Sequence, residues 1–156
     1  MEFSRNPLDV AVLRSRLVHP EAGGVVLFEG RVRNSHLGQS VLFLEYEAYE
    51  VLAEREMALI VEEIRHGCEV LEILCAHRLG RVDPGMVGVW IGVTAVHRSP
   101  AFQACALAID AIKHRLPIWK KEHYADGRAL WISCSGEADR GISEETRPGR
   151  MHDLAG

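Results

Sequence analysis

The feature that most limits the possible folds is the order in which hydrophobic periodicity changes along the chain. Strand-like stretches with a period of two come mostly in adjacent pairs, and single amphipathic helices separate them. A doubly wound parallel sheet needs a long crossover between every two neighbouring strands. Paired strands do not leave room for one. The order reads α-β-β-α-β-β-α-β, which predicts an α+β fold with mostly antiparallel strands.

Residues Pro7 to Val18 read as a short helix that Pro20 stops. Val25 to Val32 then alternates, with Val26, Phe28 and Val32 on one face and Leu27, Glu29, Arg31 and Arg33 on the other. Val41 to Tyr49 alternates as well, so these two strands are expected to pair as a hairpin across the polar stretch 34–40. The clearest helix is Glu50 to His66, where Met57, Ile60, Val61 and Ile64 recur at helical spacing and Gly67 reads as the stop. Glu69 to Leu79 is a strand, and the stretch 80–85 with Asp83-Pro84-Gly85 is a turn. Met86 to Val96 is the next strand, in which Gly88 and Gly92 flank Trp90 on one face and invite close approach by a neighbour.

A helix follows, with Ser99 read as its N-cap, Pro100 as its first residue and Pro117 as its stop. Phe102, Ala106, Ile109 and Lys113 lie along one face, with Cys105 and Ile112 beside them. Ala129 to Cys134 reads as a last strand, so the expected domain is 1–134, with a loosely held polar tail over 135–156.

Composition removes several functional classes. The net charge of -4 and the few aromatic residues argue against a nucleic-acid surface. The four cysteines are widely spaced with no Cys-x-x-Cys pair, so neither a zinc site nor a disulfide framework is expected. No apolar run approaches the roughly 20 residues of a membrane span, and the first residues lack the apolar core of a signal peptide. A cytoplasmic protein is the expectation.

Against this acidic background, residues 97–121 form a cationic island: Arg98, Lys113, Arg115, Lys120 and Lys121 face a single acid, Asp110. His97 and Arg98 stand where a strand ends and a helix begins. Unpaired backbone N–H groups and the helix dipole favour an anion there. The plainer reading is an exposed arginine beside a histidine with local hydrogen bonds. Lys113 follows Ile109 by four residues, so it either snorkels from the apolar face or lines a pocket. Lys120 and Lys121 point to opposite sides of an extended segment held by Pro117 and Trp119, so one of them faces inward or into a cleft. Arg33 on the first strand, and His36 in the loop after it, are further candidates for an anion site.

These blocks together resemble the large, catalytic subunit of molybdopterin synthase. The matching stretches are Phe28-Glu29-Gly30-Arg31-Val32-Arg33-Asn34, Leu44-Glu45-Tyr46-Glu47-Ala48-Tyr49, His77-Arg78-Leu79-Gly80, His97-Arg98-Ser99-Pro100 and Pro117-Ile118-Trp119-Lys120-Lys121-Glu122. The resemblance implies a homodimeric α+β fold of the α/β-hammerhead type. A small ubiquitin-like sulfur-carrier subunit would complete a heterotetramer, its C-terminal Gly-Gly thiocarboxylate entering a pocket of the large subunit. Sulfur would pass to cyclic pyranopterin monophosphate to form the dithiolene of molybdopterin.

By the same resemblance Lys113 and Lys120 are the catalytic residues. Arg33, His97 and Arg98 bind substrate, the last two able to reach in from a neighbouring protomer. The attacking sulfur belongs to the carrier, so no catalytic cysteine, metal or cofactor is implied. The competing reading is a non-catalytic dimeric docking module for a ubiquitin-like tail.

Overall fold

The computed structural model describes residues 1–132. Twelve elements follow in order: β1 (Glu2–Ser4), α1 (Val10–Ser15), β2 (Gly24–Arg31), β3 (Ser35–His36), β4 (Gln39–Ala48), α2 (Glu50–Gly67), β5 (Val70–Arg78), β6 (Gly80–Val82), β7 (Val87–Ala95), α3 (Arg98–Arg115), β8 (Ile118–Tyr124) and β9 (Ala129–Ile132). The mixed α+β architecture expected from the sequence is present. A first sheet has the order β1-β5-β7-β2, and a second has the order β3-β4-β8-β9 with β6 also on β4. Every pairing is antiparallel except β1 with β5.

Strand β7 is covered on both sides. Ile91, Val93 and Ala95 face the main core with α2 and α3. Trp90, on the opposite face, packs with Leu13, Leu17 and Ala76 under α1. The close approach read from Gly88 and Gly92 is real. The Tyr46 ring lies 3.3 Å from where a Gly88 Cβ would sit, and the ring of Trp90 lies 2.5 Å from the corresponding point at Gly92.

Several expectations are corrected. Strands β2 and β4 do not form a hairpin. Strand β2 pairs with β7 along its whole length, through a register shift between Gly30 and Arg31, and Val32 just beyond it packs in the second sheet's cluster with Val41, Leu44, Val82 and Tyr124. The hairpin is β3–β4, closed by Leu37 and Gly38, both at positive φ (48° and 77°). Two consecutive positive φ values match a type I′ turn, whose twist suits paired strands.

The polar start of the chain forms β1, and the stretch read wholly as a turn forms β6 before turning at Asp83–Gly85. Helix α1 is shorter than expected and begins at Asp9, whose carboxylate accepts from the N–H groups of Ala11 and Val12. Helix α2 ends on an extended Cys68, without a left-handed glycine. Helix α3 begins two residues earlier than read, with His97 as N-cap. Pro100 still falls among the first residues, where a missing N–H removes no helical bond.

The packed seam of α3 is also rotated from the expected one. Ala101, Ala104, Cys105, Ala108 and Ile112 are buried, while Phe102 is 63% exposed. Three alanines let the helix lie close on the sheet, and a large side chain is turned out. The described cysteines, Cys68, Cys75 and Cys105, are free and buried. Cys134 and the tail 135–156 lie outside the described residues. Among the described residues no helix is long and apolar enough to cross a membrane.

Two glycines separate crowding from backbone freedom. A Cβ at Gly92 would meet Leu17 and the buried Trp90 ring, whereas one at Gly67, at the end of α2, meets nothing. Urea unfolding should show Gly92→Ala destabilised by about 1–3 kcal/mol and Gly67→Ala stabilised by about 0.5–1 kcal/mol.

Candidate functional site

A cleft of about 420 Å³ opens where the two sheets meet the C-terminal end of α3. Three of the candidate cations line it: Arg33, Lys113 and Lys120. Each arrives by a different route. Arg33 follows Val32, whose side chain is anchored in the second core cluster. Lys113 stands one turn beyond Ile109 in α3, and both line the cleft, so the pocket-lining reading of Lys113 fits.

Lys120 shares a face of β8 with the buried Ile118, Glu122 and Tyr124. Strand alternation sends Lys121 to the other face, where its ammonium sits 5.7 Å from the ring of its cross-strand partner Trp131. Of the two neighbouring lysines, Lys120 is therefore the one in the cleft.

The electrostatics of the cleft are uneven. Arg31 is paired with Glu29 at 2.6 Å. Arg33 and Lys113 have no ion-pair partner among the described residues, so their charge is available to a ligand. Lys120 Nζ lies 3.4 Å from Glu122 Oε1. Glu122 itself is buried, and its Oε2 accepts from the Tyr124 hydroxyl at 2.7 Å and meets His36 Nδ1 at 2.7 Å. Burial pushes the Glu122 carboxyl up, but the Tyr124 hydrogen bond, the Lys120 charge and the His36 contact outweigh it and hold it below the usual carboxylate range. Burial and the bond to Glu122 push Tyr124 up to about 12.

At the apolar end of the cleft, His77 stacks edge-on with Tyr46, ring centroids 4.9 Å apart. Its Nδ1–H donates to the Arg78 carbonyl at 2.7 Å. Burial pushes His77 down to about 4, so its ring is neutral at physiological pH.

His97 and Arg98 do not line this cleft. They are exposed at the opposite end of α3, with the Arg98 backbone close over Gly24. Fifteen residues at about 1.5 Å of rise put Arg98 roughly 22 Å from Lys113. The island that looks continuous in sequence is two separate cationic sites in one chain. Sequence reasoning assigned no role to Glu122 or Tyr124, although Glu122 lies inside a quoted motif. What makes Glu122 matter is a contact with His36 from another strand, which no local pattern shows.

The α+β scaffold thus carries a cationic cleft, with no cysteine among its lining residues, beside a neutral aromatic recess. Comparison with known proteins makes this specific. The family described as MoaE protein matches residues 3–115. The molybdopterin synthase catalytic subunit of Thermoplasma volcanium is 42% identical over 126 residues, covering 81% of this chain and 90% of that protein. The one from Nostoc is 40% identical over 128 residues, covering 81% and 78%. The crystal structure of molybdopterin synthase from Staphylococcus aureus superposes with a TM-score of 0.79 at 35% identity, over 84% of this chain and 95% of that one. The chain belongs to the MoaE family of molybdopterin synthase catalytic subunits, and its role is in molybdopterin synthesis.

The buried histidine has a consequence for stability. The unfolded chain takes up a proton near the ordinary 6.5, but folded His77 resists it until about 4. Stability from this group is intact above pH 6.5 and is lost as pH falls toward 4, by about 3 kcal/mol in total. Glu122, held low in the fold, adds loss in the same direction at still lower pH. Denaturant unfolding across pH 7 to 4 should show the decline, and His77→Gln should flatten its upper part.

Proposed function

We propose that the chain takes sulfur from the thiocarboxylated C-terminus of a small ubiquitin-like carrier subunit and delivers it to cyclic pyranopterin monophosphate, forming the dithiolene of molybdopterin. The observation that carries this reading is the convergence of Arg33, Lys113 and Lys120 on one cleft with no sulfur nucleophile of its own. A thiocarboxylate and a cyclic phosphate about 5 Å apart repel by about 3 kcal/mol at an effective dielectric near 20. Cations fixed in place beforehand offset that repulsion without reorganising during the reaction. Lys113 and Lys120 orient the thiocarboxylate and move protons as sulfur adds and oxygen leaves. Arg33 holds the phosphate.

His97 and Arg98 act in this scheme from a second copy of the chain, which brings its α3 N-terminus to the cleft. Their distance from Lys113 along one helix supports that arrangement. The exposed Val96 and Phe102 beside them suit an interface between copies. The working assembly is then a homodimer within a heterotetramer. The Helicobacter pylori structural neighbour, 21% identical with a TM-score of 0.70, is a complex of subunits 1 and 2 of molybdopterin-converting factor. In this reading the enzyme is a cytoplasmic sulfurtransferase, with 1–134 as its catalytic domain.

Reconstitution with thiocarboxylated carrier and the pyranopterin tests the reading: molybdopterin forms, and tail binding without product would make the chain a docking module instead. Lys113→Ala and Lys120→Ala should each lower turnover by about 100-fold or more. Circular dichroism should show both variants folded, since neither side chain lies in the core. Arg98→Ala should chiefly raise KM for the pyranopterin. An unchanged binding isotherm would remove Arg98 from the phosphate site.

A further inference from the structure

The two oxygens of the buried Glu122 carboxylate have different partners. Oε2 is taken by the Tyr124 hydroxyl and His36 Nδ1, each at 2.7 Å. Oε1 is left facing Lys120 Nζ at 3.4 Å. A charge-assisted N–H···O bond closes to about 2.7–2.9 Å when nothing opposes it. Lys120 is thus near its counter-charge without being drawn onto it.

Two donors on Oε2 account for this. They fix the carboxylate's rotation and spend half of its accepting capacity, so it cannot turn both oxygens toward the ammonium. The donors come from different places. Tyr124 is two residues along β8 on the same buried face, and the Arg128 guanidinium lies 5.7 Å from its ring centroid. His36 comes from β3, three residues after Arg33. Its contact with Glu122 ties the segment carrying one cleft cation to the strand carrying another.

We propose that Tyr124 and His36 are positioning residues for Lys120, acting through Glu122 so that the ammonium is held in the cleft but remains available to substrate. The proposal rests on the catalytic reading of Lys120. It differs from a purely structural role for the network, which would lower stability without changing kcat in the folded protein. Without the Tyr124 hydroxyl, Glu122 closes on Lys120, the ion pair tightens, and the lysine is withdrawn from chemistry. Substrate binding through Arg33 is left largely intact.

The test uses the full chain with its thiocarboxylated partner and the pyranopterin. Tyr124→Phe should lower kcat about tenfold, the scale of one hydrogen bond to a charged group, with KM nearly unchanged. His36→Ala should act in the same direction, and His36→Gln, which keeps a donor, should recover most of the loss. Because both act through one carboxylate, the double variant should lose less than the product of the single losses. Unchanged kcat in Tyr124→Phe and His36→Ala, or losses that only follow the unfolded fraction, would overturn the proposal.

A second measurement does not depend on sulfur transfer. Lys120 acylation by a small amine-reactive ester is followed by mass spectrometry, with Lys121 on the opposite strand face as internal reference. Tyr124→Phe should slow Lys120 by roughly threefold relative to Lys121 as its ion pair tightens, and an unchanged ratio would overturn the positioning role. If the wild-type chain makes no molybdopterin while the acylation ratio shifts, the functional reading fails and the positioning of Lys120 stands.

Discussion

The structure depends on strand β7 being buried on both faces. One face supports α2 and α3 through Ile91, Val93 and Ala95, and the other holds Trp90 against α1. Burial on both sides admits little variation in side-chain size, which is why glycines stand beside Trp90. It also fixes α3 rigidly on the sheet through its alanine seam. With α3 fixed, Lys113 at its end is aimed at the cleft, and β8, which follows after Pro117, enters the second sheet opposite β4. The positions of Lys113 and Lys120 trace back to that packing, while Arg33 is set by Val32 in the second core cluster.

Within the cleft, charge is arranged by pairing some groups and leaving others open. Arg31 is spent on Glu29, and Lys121 lies against an indole on the far face. Arg33 and Lys113 have no ion-pair partner among the described residues. Glu122 is a buried carboxylate among cations, and its cost is offset by three partners. A neutral His77 beside Tyr46 gives the other end of the recess an aromatic surface without adding charge. The cleft therefore has a cationic end and an uncharged aromatic one.

What could be read from the sequence divides along physical lines. Periodicity showed that Val26 and Phe28 of β2 share a face, because side-chain alternation is a property of a single strand. It also showed that Lys120 and Lys121 must diverge. It did not show which strand pairs with which: β2 pairs with β7 and not with β4, and short polar segments such as β1 and β6 have no pattern of their own. Helical spacing put Phe102 on one face with Ala106, Ile109 and Lys113, whereas the close helix–sheet contact selects the alanines and turns Phe102 out. Arg33, Lys113 and Lys120 came from their motifs and do meet in the fold. The Glu122 network joins residues far apart in the chain and could be seen only in three dimensions.

The length of α3 has a genetic corollary. Its two cationic ends are roughly 22 Å apart, so in the proposed pair of copies each end serves a different cleft. Chains disabled at opposite ends, one at Arg98 and one at Lys113, then complement each other when mixed. One cleft of the hybrid pair inherits both lesions and the other inherits none, so two impaired alleles together restore a working site.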